Sequence, residues 1–259
     1  MDLDTRRPLI FRVGRGKSGG TTALNATAEL GFMDGRKPIM LDAARNPGLA
    51  LLYPTVGETE APQPGKVKRP KSHTITDGVA AIRETINAMM EHEQGAEVDF
   101  GGGQDDAIVK LLQQLNIVEF GADVGIRPIF LVTFGPEMAD FEHVLEIKSR
   151  GIFDGVDVIL VQSAGAIMQE QDAEASFSDI MDRPEYAEWI ASGAKSFYLP
   201  FLPHLNDIRK KKLTLRDAAA DKVGSDGTRL GFTAAWETKA FLKKWRKEFS
   251  DAEIEGWMV

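Results

Sequence analysis

The chain contains no cysteine among its 259 residues, which excludes disulfide bridges, thiolate-held metals and iron–sulfur clusters. Histidine is also sparse, and His73, His92, His143 and His204 show neither the i, i+4 spacing nor the neighbouring carboxylates of a zinc site. They read as surface or core residues. No apolar run approaches the ~20 residues that span a bilayer. Met1-Asp2-Leu3-Asp4 is acidic, unlike the basic-then-apolar start of a secretory signal, and a cytoplasmic location is the expectation. A nucleophile elbow is missing too: Gln162-Ser163-Ala164-Gly165 has no glycine ahead of its serine. Internal repeats, low-complexity tracts and sharp shifts of composition are all absent.

The net charge of -8 and the sequence pI near 5.2 argue against a protein whose whole surface grips nucleic acid. Two local basic patches remain, Arg209-Lys210-Lys211-Lys212 and Lys243-Lys244-Trp245-Arg246-Lys247. They read either as solvated helix faces or as a surface that touches DNA non-specifically through its phosphates. A hydrophobic content of 43% and a charged content of 27% are those of a globular chain and exclude a disordered one.

Apolar stretches of strand length alternate with helix-like stretches, the pattern of a doubly wound, mostly parallel α/β sheet with flanking helices. Strands are predicted near Leu9–Val13, Pro38–Asp42, Glu97–Phe100, Pro128–Phe134, Asp157–Gln162 and Ser196–Leu199. Helices are predicted over Thr21–Gly31, Asp77–Glu91, Asp105–Glu119, Glu137–Ser149, Tyr186–Ser192, Leu215–Asp221 and Thr233–Glu248. One domain covers the chain, with a helical segment at 204–259 and a long surface loop at 54–75. That loop, punctuated by Pro54, Pro62, Pro64, Gly65 and Pro70 and carrying Lys66, Lys68, Arg69 and Lys71, is either functional or disordered.

Between the first strand and the first helix lies Gly14-Arg15-Gly16-Lys17-Ser18-Gly19-Gly20-Thr21-Thr22. It has the shape of the phosphate-binding loop G-x-x-x-x-G-K-[ST], whose backbone N–H groups cradle phosphates, whose lysine reaches the outer phosphates and whose hydroxyl binds magnesium. Gly14 and Gly19 hold the glycine positions and Thr21 the hydroxyl position, but Gly20 stands where lysine belongs. A helix N-terminus still attracts an anion without it, whereas phosphoryl transfer needs a cation. Arg15 and Lys17 supply charge within the loop. A second strand ends in Asp42, near that loop, where a carboxylate can hold a magnesium-bound water, orient an attacking one, or cap the turn ahead of Asn46-Pro47. A third ends in Asp99, followed by Gly101-Gly102-Gly103, the arrangement a magnesium-binding carboxylate needs beside a γ-phosphate. The three features in this order point to nucleotide binding.

On these residues the chain resembles the ParA/MinD group of P-loop ATPases, and within it the plasmid-stability and conjugation proteins called StbB or TraL-like. Arg15–Thr22 match the family's deviant loop K-G-G-x-G-K-[ST], Leu41–Asn46 its D-x-D motif, and Val98–Gly103 its Walker B strand, with weaker likeness at Phe134-Gly135-Pro136 to Asp140 and at Val158–Gln162. The resemblance implies ATP and Mg2+ as ligands and a nucleotide-sandwich homodimer in which Arg15, at the signature-lysine position, reaches the partner's phosphates. It further implies association with DNA, with a DNA-binding adaptor protein or, less in keeping with this chain, with a membrane. By this carry-over Thr21 and Asp99 take the magnesium positions and Asp42 the first carboxylate of D-x-D, so the catalytic candidates are Arg15, Lys17 and Asp42. Gly20 and Ala44 depart from the pattern, one in place of the loop lysine and one in place of the second carboxylate. Each loss removes charge stabilisation or positioning, so slow or absent hydrolysis is expected unless Arg15, Lys17 or Arg45 compensates. A non-hydrolysing nucleotide sensor or scaffold is the alternative function. Tyr198–Pro203 fits either a plain surface turn or, by resemblance, a loop against the adenine. The C-terminal stretch around Trp236, Phe241, Leu242, Trp245 and Phe249 reads as an amphipathic helix, docked on the sheet or used at a membrane.

Overall fold

The computed structural model describes residues 6–101, 108–110, 114, 116–166 and 175–259. Its strands are β1 (Arg7–Val13), β2 (Ile39–Asp42), β3 (Val67–Lys68), β4 (Ala96–Asp99), β5 (Ile126–Phe134), β6 (Asp157–Ser163) and β7 (Lys195–Leu199). They form one sheet in the order β3-β2-β4-β1-β5-β6-β7, with every pairing parallel. Central parallel strands are covered on both faces, and so they read as near-continuous apolar runs. Phe11-Arg12-Val13 of β1 and Ile129–Phe134 of β5 are buried throughout.

The helices are α1 (Gly20–Met33), α2 (Ile75–His92), α3 (Ile117–Val124), α4 (Met138–Lys148), α5 (Ser178–Met181), α6 (Pro184–Ala191), α7 (Leu205–Lys210), α8 (Leu215–Ala219) and α9 (Phe232–Asp251). Side chains alternate across each strand, and the two faces have separate cores. Leu9, Phe11, Val98, Phe130 and Val132 pack with Ile82 of α2, Phe141 of α4 and Trp189 of α6. On the other face Ile10, Ile129, Leu131 and Val161 pack with Leu24 of α1 and with Phe241, Trp245 and Phe249 of α9. The apolar face of α9 is therefore spent inside the fold, and the Trp245 indole donates to Thr27 Oγ1 at 3.1 Å. Trp236, which the amphipathic pattern placed on the same stripe, is 63% exposed instead. No helix among the described residues is long and apolar enough to cross a membrane.

All six expected strands are present. The departures lie where the chain is short of periodicity. The stretch at 54–75 is not a bare loop, for it contributes β3 to the edge of the sheet, and Val56 N donates to Val67 O at 3.0 Å. Its anchor is Lys68, almost completely buried, whose ammonium donates to the carbonyls of Gly57, Glu58 and Glu60. The helix α5 was not expected, being too short to show a period, whereas α7 lies at the head of the helical segment expected at 204–259. The helix expected over Asp105–Glu119 falls partly outside the described residues; within it 108–110 and 114 are helical, and α3 begins at Ile117.

A buried polar link fastens the start of the chain to its C-terminal third. Glu29 of α1 accepts from Tyr53 Oη at 2.6 Å and from the Arg216 N–H at 3.0 Å. Burial is the largest influence on Glu29 and raises its pKa above the usual carboxylate value, while Tyr53 and Arg216 pull it back. A carboxyl whose folded-state pKa is raised contributes most below its unfolded value, near 4.5, and loses that contribution as pH climbs through the folded value. The Glu29→Gln variant is therefore expected to gain stability relative to the parent between pH 4 and pH 8, measured by urea unfolding at both. A gap that does not change with pH would show that Glu29 ionises as freely folded as unfolded.

Candidate functional site

In the strand order β1 sits between β4 and β5, and the connection from β1 runs to β2 on one side while that from β4 runs to β5 on the other. Ligands of open α/β sheets bind in the crevice at such a point. Gly14–Gly19 form the turn there. Gly14 has φ 137° and a Cβ would fall 2.2 Å from Thr133 O, so the loop presses onto β5 only because this residue is glycine. Ser18 fixes the other side. Its hydroxyl donates to Arg15 O at 2.8 Å and lies 2.9 Å from Thr133 Oγ1.

Gly19, in the left-handed region at φ 80°, precedes the first turn of α1 and places no side chain over it. Thr22 N and Ala23 N both donate to Gly19 O, which leaves the N–H groups of Gly20 and Thr21 without intrahelical acceptors. These are the donors and the positive helix end that attract an anion.

The side chains at the strand tips stand in lateral register. Arg12 of β1 is opposite Asp99 of β4, and Asp42 of β2 is opposite the same Asp99. All three therefore project from the α1 side of the sheet. The Thr21 hydroxyl donates to Asp99 Oδ2 at 2.7 Å, while Asp99 Oδ1 is buried with no hydrogen-bond partner. Burial raises the pKa of Asp99, the charge of Arg12 opposes the rise and Asp42 adds to it. A hydroxyl and a buried carboxylate with an unused oxygen suit a hard cation such as magnesium. Among the described residues no group of three acidic or histidine side chains could enclose a metal. A metal held here would complete its shell from water and a bound phosphate.

Asp42 is differently employed. Its Oδ1 accepts from Ala44 N at 3.2 Å and its Oδ2 from Gly48 N and Ala50 N, both at 2.9 Å. Of the roles open from sequence, these bonds supply the turn-capping one. The capped turn packs on the methyl group of Thr21, since a Cβ on Gly48 would lie 2.2 Å from Thr21 Cγ2.

The loop cations point outward. Arg15 is half exposed and pairs with Asp140 of α4 at 3.0 Å. Lys17 is exposed, with φ 71°. It lines a cavity of about 240 Å³ together with Gly19, Thr22, Ser163, the segment Leu199–Pro203, Leu205 and Asn206. Tyr198–Pro203, left open between a plain turn and a ligand-side loop, thus reaches the flank of Gly14–Thr22. Ala44, at the position of the missing second carboxylate, is buried. Gly102 and Gly103 of the glycine run lie outside the described residues.

Two site residues were missed. Arg12, 4% exposed, donates from Nη1 to Phe100 O and from Nη2 to Arg15 O, both at 2.7 Å, and from Nη2 to Ser18 Oγ at 3.3 Å. Arg209 of α7 approaches Thr22 Oγ1 at 3.4 Å. A charge inside the apolar run Leu9–Val13 was the available signal for the first. Arg209 had none, because it was one member of a basic run.

No protein-family model matches the chain, and neither does any curated protein. Among solved structures, apo McdA from Cyanthece superposes with a TM-score of 0.55 over 94% of this chain and 99% of its own, at 12% identity. A nucleotide-binding protein in complex with ADP from Archaeoglobus fulgidus gives a TM-score of 0.45 over 82% of this chain and 90% of its own, at 15% identity. The sheet order, the glycine-rich turn after β1 and the first of these likenesses give the α/β fold of P-loop NTPases.

Removing the Asp42 carboxylate strands three backbone N–H groups. The Asp42→Ala variant is expected to lose about 2–3 kcal/mol by denaturant unfolding, each stranded group costing on the order of 1 kcal/mol. The loss should appear with no metal or nucleotide added. A variant as stable as the parent would return Asp42 to a purely ligand-directed role.

Proposed function

We propose that the protein binds ATP with Mg2+ at Gly14–Thr22 and acts as a nucleotide-dependent homodimer of ParA/MinD type in plasmid partition, stability or conjugative DNA transfer. The observation that carries the reading is the Thr21–Asp99 contact at 2.7 Å, with the second Asp99 oxygen unpartnered, beside a glycine loop that opens a helix. In this reading the N–H groups of the loop and of the first turn of α1 hold the phosphates. Thr21 and Asp99 hold the metal, which would neutralise phosphate charge when bound. Asp42 keeps the adjoining turn in place. The base occupies the cavity between Lys17 and Leu199–Asn206.

Arg15 supports the dimer. Its ion pair with Asp140 is at the surface, where such pairs contribute little, so the guanidinium can exchange that partner for a phosphate presented by a second subunit. Partners on the DNA side, whether DNA itself or an adaptor, rest on the resemblance and on the outward basic residues Lys243, Lys244 and Lys247 of α9. The part of α9 from Phe241 to Phe249 is docked, so a membrane contact would be left to Phe232 and Trp236 at its start.

A second reading, a sensor that binds without hydrolysing, is favoured by one observation. Ala44 supplies a methyl group where a water-orienting carboxylate would stand, and Asp42 is engaged by backbone.

Calorimetric titration with ATP, with and without magnesium, alongside light-scattering mass, tests both steps. Micromolar binding and a doubled mass are expected, and Thr21→Val or Asp99→Asn should abolish the gain in affinity that magnesium gives. An absence of ATP binding by the intact protein would refute the proposal. Binding with no phosphate release over hours would select the sensor.

A further inference from the structure

The loop lacks its lysine, yet a cation occupies the space that a side chain at residue 20 would need. A Cβ built on Gly20 would lie 1.9 Å from Arg12 Nε, 2.7 Å from its Cγ and 2.8 Å from its Cδ. That is an overlap with the middle of a side chain, not with a free end that could swing aside. Both terminal nitrogens of Arg12 are anchored, one on Phe100 O at the end of β4 and the other on Arg15 O and Ser18 Oγ within the loop. Glycine at 20 and arginine at 12 are thus two halves of one arrangement, since any larger residue at 20 would displace the arginine.

The placement of the charge is specific. Arg12 enters from the strand beneath the loop, beside Asp99 in register, and its guanidinium lies against loop atoms on either side of Gly16 and Lys17. A buried arginine there costs desolvation, and the Phe100 carbonyl, the Arg15 carbonyl and the Asp99 charge offset it. To meet a phosphate the guanidinium exchanges its Arg15 and Ser18 contacts for phosphate oxygens, which its fork of N–H donors suits better than a point charge would.

We propose that Arg12 is the phosphate-binding cation of this site, doing from the β1 strand what the lysine missing at position 20 would do from α1. This rests on the reading that Gly14–Thr22 hold a nucleotide. It predicts that the contribution of the triphosphate to affinity depends on Arg12, whereas recognition of the nucleoside does not.

The test compares ATP with adenosine, by calorimetric titration, in the parent, in Arg12→Met and in the double variant Arg12→Ala with Gly20→Lys. Arg12→Met keeps the volume and removes the charge. It should weaken ATP binding roughly tenfold to a hundredfold, as expected for a lost charge-assisted hydrogen bond, with adenosine affinity unchanged. The double variant should regain most of the ATP affinity, because lysine at 20 then has the space that Arg12 held. A folded Arg12→Met whose ATP-to-adenosine ratio stays within twofold of the parent would make Arg12 a structural tie and overturn the proposal. Should Arg12→Met fail to fold, the double variant decides, and a folded double variant without preference for ATP overturns the proposal equally. A parent that itself binds ATP no more tightly than adenosine would instead remove the phosphate site, and with it the function proposed above.

Discussion

The site depends on one steric exclusion, that Arg12 and a side chain at residue 20 cannot both be present. Gly20 leaves open the ground between α1 and the sheet, and the arginine fills it, joining the end of β4 to the loop through Phe100 O and Arg15 O. Several neighbouring features follow. The loop closes down onto β5 through Gly14 and Ser18. The acidic residue at the tip of β4 gains an opposite charge in register. Thr21 is left free to bond that carboxylate rather than to cover a cation.

Around this cation the strand tips gather an unusual amount of buried acid. Asp42 and Asp99 stand side by side, and Glu97 lies two residues deeper on the same face, fully buried with neither carboxyl oxygen hydrogen-bonded. Burial first, then the charges of Asp99 and Glu29, push the Glu97 pKa well above the ordinary range. That shift favours the uncharged form of Glu97 beneath the tips of β2 and β4. The backbone N–H groups that cap Asp42 have a comparable effect, dispersing its charge into the turn at 44–50.

Much of this was legible in sequence because it follows from short-range chemistry. Among the described residues, apolar runs marked six of the seven strands, and glycines at 14 and 19 with Thr21 marked the loop, since both signals lie within one element. The strand β3 was not legible. It is two residues long in a polar stretch, and it exists because its backbone pairs with β2 and because Lys68 finds three carbonyls distant from any periodic pattern. Asp42 was placed correctly at a strand tip, but its engagement by Gly48 and Ala50 depends on how the next turn folds back. Arg12 was hidden for a similar reason. Its meaning requires the β1–β4 register and the absence of a Cβ at residue 20, neither of which is visible from Phe11-Arg12-Val13 alone. The fold therefore followed from local pattern, while the charge balance of the site followed from contacts between strands distant in sequence.

The most direct measurement is a crystal structure of the protein with magnesium and a non-hydrolysable ATP analogue. The account predicts phosphates against the N–H groups of Gly19–Thr22, the metal at Thr21 and Asp99, and the Arg12 guanidinium in contact with a phosphate oxygen. Phosphates bound elsewhere, or bound in the loop with no phosphate oxygen in contact with Arg12, would contradict it.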